Sequence, residues 1–292
     1  MFCDIEPSGY GLDPGQIEPL ITDRTSGIIG VHLWGHPCNV RALEAITARR
    51  GLAILFDAAH AFACSHEGRM IGGFGDAEVL SFHATKFLNT FEGGAVVTND
   101  DELAHKVRLM RNFGFAGEDT VVQIGTNGKM TEIAAAMGLA SLESMDEFVT
   151  INRRNYHTYR QELSGIAGVT LIEYDEAQKN NYQYVVVDID EASSGISRDC
   201  LHAVLTAERI LVRRYFYPGC HRMGPYSSRE PDVGARLPWT ERAAGRVLCL
   251  PTGTAVVPSD IMTVCAIVRF AVAHGQDIAK RVANLCSAKT LA

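Results

Sequence analysis

Three residues carry chemistry in a telling order along this chain: Asp57, His60 and Lys86. Asp57 closes the apolar run Leu52 to Phe56, and His60 follows one short turn later. Lys86 ends the stretch Ser81-Phe82-His83-Ala84-Thr85-Lys86, which is entered through apolar Val79 and Leu80. A lysine at the mouth of a buried sheet is a poor core residue, because burying an ammonium is costly unless its pKa falls. The same setting suits an amine nucleophile that forms Schiff bases, the chemistry of pyridoxal phosphate (PLP) catalysis. That chemistry also needs a carboxylate beside the pyridine nitrogen, a donor beside the ring hydroxyl and polar groups around the phosphate. Each residue alone has an ordinary alternative. An aspartate at a strand end caps a helix, a histidine packs at the surface, and a lysine faces solvent.

The elements that must position these residues follow a β-α-β rhythm. Gly27 to Trp34 is a near-continuous apolar run of strand length, as expected of a strand buried on both faces. Asn39 to Arg49 supplies an amphipathic helix through Val40, Leu43, Ile46 and Thr47, and Leu52 to Phe56 is the next buried strand. Short turns between them predict an open, mostly parallel sheet, whose ligands sit at the carboxyl ends of strands. Met1 to Ile5 reads as a further strand, Pro14 to Ile21 as a short helix, and Ala95 to Thr98 as a returning strand. The glycine-rich stretch Gly68 to Asp76 lacks the strand-then-helix context of a phosphate-binding fingerprint and reads as a tight connection. Asp101 to Phe113 forms a helix, and a long helical region opens at Thr131-Glu132 and runs to Leu163.

The pattern changes after Gly168. Strands at Val169 to Ile172, Tyr182 to Ile189 and Ile210 to Tyr217 intersperse with helices at Arg198 to Glu208 and Pro258 to His274. This predicts a small α+β domain, and the expected division is a large domain over residues 1–145 and a small one over 146–292. Trp239 and Cys249-Leu250-Pro251 read as packing.

With 47% hydrophobic and 21% charged residues among 292, the composition is that of an ordinary globular protein. A net charge of −7 without long basic runs argues against nucleic acid as a partner, and no apolar stretch has the length of a membrane span. Eight cysteines scattered without a CxxC pair read as reduced thiols of a cytoplasmic protein. No metal site is expected, with Cys220-His221 a weak alternative for zinc.

Asp57-Ala58-Ala59-His60-Ala61, Ser81 to Lys86 and Glu92-Gly93-Gly94 together resemble the sugar aminotransferases of the DegT/DnrJ/StrS family. Val31-His32-Leu33-Trp34-Gly35 resembles the family's strand before the aspartate, and Gly125 to Met130 resembles its Gly-x-Asn-x-Arg-Met segment. The resemblance runs from residue 1 to about residue 275. It implies an α/β, fold type I PLP-dependent transferase. Its large domain would hold a mostly parallel sheet, incomplete at the N-terminus, beside a small α+β C-terminal domain. It implies further that Lys86 holds the PLP aldehyde as an imine and shuttles the substrate proton, while Asp57 pairs with the pyridinium nitrogen. His60 would face the ring oxygen and Ser81 the phosphate. Asn127 would reach the cofactor of a neighbouring subunit, implying a homodimer with shared active sites, although Lys129 stands where the family more often has arginine.

His83 matches a position lining the sugar pocket, with a structural role as the alternative. Arg213, Arg214, Tyr215, Tyr217 and His221 lie on a strand and loop that approach substrate in the family; a solvated basic pair is the alternative for the two arginines. A lysine at position 86, where the related dehydratases carry histidine, favours amino transfer. The implied reaction moves an amino group from an amino acid, expected to be L-glutamate, to a keto group of a nucleotide-activated deoxysugar. C4 of a dTDP-4-keto-6-deoxyhexose is the expected position. The resemblance also implies a segment ahead of Met1 that would supply a first strand and helix, amides for the cofactor phosphate and an aromatic for its ring. A catalytically silent fragment or scaffold is therefore one alternative, and an amino-cyclitol- or aminohydroxybenzoate-forming PLP transferase is another.

Overall fold

The computed structural model describes residues 1–278 and 280–281. The chain divides into two compact units. A sheet unit comprises Gly11–Val149 and Asp175–Asn181; a C-terminal unit comprises Met1–Tyr10, Thr150–Tyr174 and the chain from Tyr182.

In the sheet unit the apolar run at residue 27 becomes β1 (Gly27–Val31) and then bends into a 3-10 turn at Leu33–Gly35. The segment expected to be a short helix before it consists of two 3-10 turns, Pro14–Gln16 and Glu18–Leu20. α1 (Val40–Arg50) starts where Asn39 Oδ1 accepts the Ala42 N–H at 3.3 Å and stops at left-handed Gly51. β2 (Ala53–Asp57) leads to a two-residue hairpin of β3 (Ser65–His66) and β4 (Arg69–Met70). β5 (Ala77–Ser81) and β6 (Gly94–Val97) complete a sheet ordered β1-β2-β5-β6, parallel except for β6. α1 packs on β1 and β2, where Gly30 is needed because a Cβ would lie 2.8 Å from the Phe56 ring.

Under this sheet sits a wholly buried polar cluster. The Glu78 carboxyl accepts N–H groups from Gly72 and from Phe74 (2.9 Å), and His32 Nε2 lies 3.3 Å away. His32 Nδ1 accepts the Cys38 N–H at 3.2 Å, and the imidazole stacks on Phe56. Gly75 donates to Glu44 at 2.9 Å and Asp76 to the Ile54 carbonyl at 3.0 Å, so the glycine-rich connection is tied to the protein's own acceptors. α2 (Asp101–Arg111) is capped by Asp100, and α3 (Glu132–Glu143) by Thr131. The long helical region breaks at Ser144, so a separate α4 (Met145–Leu163) follows.

The C-terminal unit is built on an antiparallel sheet ordered β7 (Val169–Leu171), β8 (Val185–Ile189) and then β9. Between β8 and β9 come α5 (Glu191–Ser194), α6 (Arg198–Ala207), α7 (Gly224–Ser227) and α8 (Pro238–Arg246). β9 (Val247–Leu250) is buried throughout, and α9 (Pro258–Ala273) closes the unit. Its core joins Tyr156 and Tyr159 of α4, Leu201 and Leu205 of α6, and Ile261, Val264 and Val268 of α9.

Two sequence expectations are corrected here. Ile210 to Tyr217 is not a strand: only Arg213 pairs, exchanging both backbone hydrogen bonds with Cys249 at 3.1 and 2.8 Å. The third strand is β9, too short and too uniformly apolar to show a period of two. Met1 to Ile5 forms no strand either. Instead the buried Asp4 carboxylate accepts the N–H groups of Trp239 (3.0 Å) and Thr240 (2.8 Å) and the Thr240 hydroxyl (2.7 Å). It caps α8, whose own preceding residue, Leu237, offers no side-chain acceptor.

Among the described residues no helix is long and apolar enough to cross a membrane, and no three His, Cys, Asp or Glu side chains are grouped to hold a metal ion. The seven described cysteines form no disulfide; Cys286 lies outside the described residues. Asp4→Ala is expected to cost about 1–2 kcal/mol, as loss of a helix cap does, and Ile261→Ala about 2–5 kcal/mol through its cavity. Urea unfolding midpoints measure both, and an unchanged midpoint in Asp4→Ala would contradict the capping role.

Candidate active site

The parallel pairing of β2 with β5 sets Asp57 opposite Val79. Side chains alternate along a strand, so Ser81, two residues on, shares the face of Asp57. Both stand at the carboxyl ends of their strands. One Asp57 oxygen accepts the Ala59 N–H at 3.0 Å, which turns the chain towards His60 and leaves the second oxygen for another partner. Ser81 Oγ accepts the His83 N–H at 3.4 Å.

The turn that delivers Lys86 is tied at several points. Phe82 donates to the Gly93 carbonyl at 2.8 Å, Thr90 to the Phe82 carbonyl at 2.9 Å, and Lys86 to the His83 carbonyl at 2.9 Å. Gly94 is required where the strands meet, because a Cβ would lie 2.6 Å from the Leu80 carbonyl oxygen. The motif following the lysine therefore has a packing reason: it lets β6 close against the end of β5.

The Asp57 charge acts on Lys86, and the Lys86 charge acts on His60. Burial pulls the Lys86 amine below its ordinary pKa, and the negative charge of Asp57 opposes part of that fall. Burial pushes the His60 imidazole down to about 3, with the Lys86 charge adding to the effect. His60 Nδ1 accepts the Trp34 backbone N–H at 3.1 Å. The site thus combines a carboxylate with an open oxygen, an amine eased towards its neutral form, a neutral imidazole and a hydroxyl. This donor set fits PLP: the carboxylate suits a pyridinium nitrogen, and the amine suits an aldehyde.

The remaining expected residues have partners of their own. His83 is exposed, with Nδ1 2.9 Å from Thr85 Oγ1 and Nε2 3.5 Å from Glu92. Asn127 is exposed and its Oδ1 accepts Lys129 Nζ at 2.7 Å, while Lys129 lies over the Phe113 ring. Arg213, Tyr215 and His221 belong to the C-terminal unit. Arg213 lies 6.0 Å from the Tyr215 ring, which stacks on Phe216. His221 is buried with Nε2 2.7 Å from Glu241, and Arg214 bonds Asp199 at 2.9 Å. Sequence reasoning overlooked Asn181, whose side-chain amide binds the carbonyls of His60 and Phe62. It is 121 residues from His60, and its only cue is the pair Asn180-Asn181 ahead of a buried strand.

The sequence matches the DegT/DnrJ/EryC1/StrS aminotransferase family over residues 1–269. A dTDP-4-amino-4,6-dideoxy-D-glucose transaminase of Shigella dysenteriae is 38% identical over 262 residues, covering 90% of this chain and 70% of that protein. Its Escherichia coli counterpart is 35% identical over 260 residues, covering 87% and 68%. Among solved structures, DesI in the presence of its TDP-sugar product superposes with a TM-score of 0.89 at 47% identity, covering 96% of this chain and 71% of that one. DesV of S. venezuelae, in complex with a ketimine intermediate, gives a TM-score of 0.83 at 31% identity, covering 91% and 70%. The sheet that carries Asp57 and Lys86 is thus the scaffold of PLP-dependent aminotransferases. By sequence and by fold, this chain belongs to the DegT/DnrJ/EryC1/StrS aminotransferase family of enzymes.

Proposed function

We propose that the protein transfers an amino group from an amino acid, with L-glutamate the expected donor, to the C4 keto group of a dTDP-4-keto-6-deoxyhexose, using PLP. The observation that carries this reading is the convergence of Asp57, His60 and Lys86 at the carboxyl ends of β2 and β5. The product-bearing names of the Shigella and Escherichia relatives and the TDP-sugar product present with DesI support the sugar nucleotide. PLP, when bound, supplies an electrophilic carbonyl and an electron sink. Lys86 Nζ, eased towards its neutral form by burial, holds that carbonyl and afterwards carries the proton that moves during amino transfer. With PLP bound, Asp57 would keep the pyridine nitrogen protonated, His60 would donate to the ring oxygen, and Ser81 would meet the phosphate.

Asn127 sits in a stretch with much apolar surface. Val121, Val122, Ile124, Met130 and Ile133 are exposed, as are Leu139 and Leu142 of α3. Such a surface suits a second copy of the chain, which supports a homodimer. In sedimentation velocity the wild-type chain is expected as a dimer, and Ile133→Asp combined with Leu139→Asp as a monomer; a wild-type monomer would overturn this part.

PLP added to the purified protein is expected to give a visible absorbance band that Lys86→Ala lacks. Turnover of the 4-keto sugar nucleotide with glutamate should fall at least ~10²–10⁴-fold in that variant, from lost proton transfer alone. No spectral change in the wild type would favour a catalytically silent chain, and turnover of inosose-type ketones instead would favour an amino-cyclitol enzyme. A pH series of Lys86 acetylation, read by mass spectrometry, should have its midpoint below the ordinary lysine value of about 10.4. The Asp57 charge holds that midpoint up, so Asp57→Asn should lower it further. A rise in Asp57→Asn would show that the two groups are not coupled as described.

A further inference from the structure

The segment Asp175–Asn181 lies between β7 and β8 in sequence yet packs within the sheet unit. It forms a strap across the turn that follows β2. Ser65 donates its N–H to the Lys179 carbonyl at 2.9 Å, and Lys179 donates its N–H to Ser65 Oγ at 2.8 Å. Gln178 Oε1 accepts from the Ser65 hydroxyl at 3.0 Å and from the Gly68 N–H at 3.1 Å. At the end of the strap Asn181 is wholly buried, and its Nδ2 donates to the carbonyls of His60 and Phe62, both at 2.9 Å. Its backbone amide bonds the Cys64 thiol. One side chain and its own backbone thus meet the turn at three successive even-numbered residues.

The other side of the turn is held by the segment after β1. Trp34 has a left-handed backbone (φ 55°), which directs its N–H to His60 Nδ1 at 3.1 Å. Gly35 follows with φ 87°, and a Cβ there would lie 3.2 Å from Asn181 Oδ1 and 3.3 Å from the His60 carbonyl oxygen. Trp34, Gly35, His60 and Asn181 are therefore packed as one unit.

A backbone N–H only donates, so His60 Nδ1 must accept, and the proton of the neutral ring must sit on Nε2. Protonating Nδ1 would set two N–H groups against each other in a buried place. We propose that Asn181 is a positioning residue. By fixing the His60 and Phe62 carbonyls it aims His60 Nδ1 at the Trp34 N–H, commits the imidazole to its neutral Nε2–H form, and so gives the site a fixed N–H donor for the ring oxygen of PLP. The final clause rests on the PLP reading above; the tautomer and its dependence on Asn181 do not.

The test is ¹⁵N NMR of protein labelled at histidine, with the His60 signals assigned by their loss in His60→Gln. Wild-type His60 is expected to show a bare Nδ1 and a protonated Nε2, unchanged from about pH 8 to about pH 5, where an ordinary histidine titrates near 6.5. In Asn181→Ala the two His60 nitrogens should average between tautomers and titrate, and PLP should bind about tenfold more weakly, since the His60 and Phe62 carbonyls lose the amide that fixes them. Should Asn181→Ala fail to fold, Asn181→Ser, which keeps one donor, is read in the same way. A charged or Nδ1–H His60 in the wild type, or a His60 spectrum unmoved by loss of the Asn181 amide, overturns the proposal. Absence of PLP binding by the wild type would instead sink the proposed function, while the histidine spectra still decide the role of Asn181.

Discussion

The site depends on the parallel pairing of two neighbouring strands. Because β2 and β5 run in the same direction, their carboxyl ends emerge on the same edge of the sheet. A carboxylate on one and the turn carrying an amine on the other are then brought together without any long-range side-chain contact. An antiparallel β5 would send Lys86 to the opposite edge. Within this sheet β6 runs antiparallel to β5, and Gly94 allows it to lie against Leu80.

Within that frame the electrostatics are a competition. Burial favours the uncharged amine of Lys86, and the nearby Asp57 favours the charged one. The pair therefore holds an amine eased towards neutrality beside an acid that stays available for a cationic partner. His60 occupies the third position as an uncharged group, which avoids placing another positive charge beside Lys86. Burial thus acts on His60 and Lys86 alike, while the Asp57 charge opposes it at Lys86.

The residues of the candidate site were legible because they fall at boundaries. Asp57 ends an apolar run, and Lys86 follows another one, so hydrophobic pattern and polar punctuation mark them together. The β-α-β order was legible for the same reason. What failed was pattern reading where burial leaves no alternation. β9 is four consecutive buried residues and looks like general packing, whereas the apolar and aromatic stretch at 210–217 looked like a strand and contributes one paired residue among those described. Asp4 was hidden in an apparent strand because its partners are some 235 residues away. Asn181 was hidden similarly, since a side chain that binds the carbonyls of a remote turn leaves no mark on spacing. The motif Gly93-Gly94 was noticed, but its physical reason, the closeness of Leu80, needed coordinates.

The buried Glu78 has a consequence for where phosphate can be received. Glycine-rich loops catch anions by pointing several amides into one concavity. Here the amides of Gly72 and Phe74 turn inward to Glu78, and that of Gly75 to Glu44. The loop already encloses anions of its own, and they are fixed to the polypeptide. An approaching phosphate would meet carboxylate charge behind a spent ring of donors, so this stretch repels the group that its composition suggests it should hold. At the opposite end of the same strand β5, having carried Glu78 inward, presents the Ser81 hydroxyl at its carboxyl terminus.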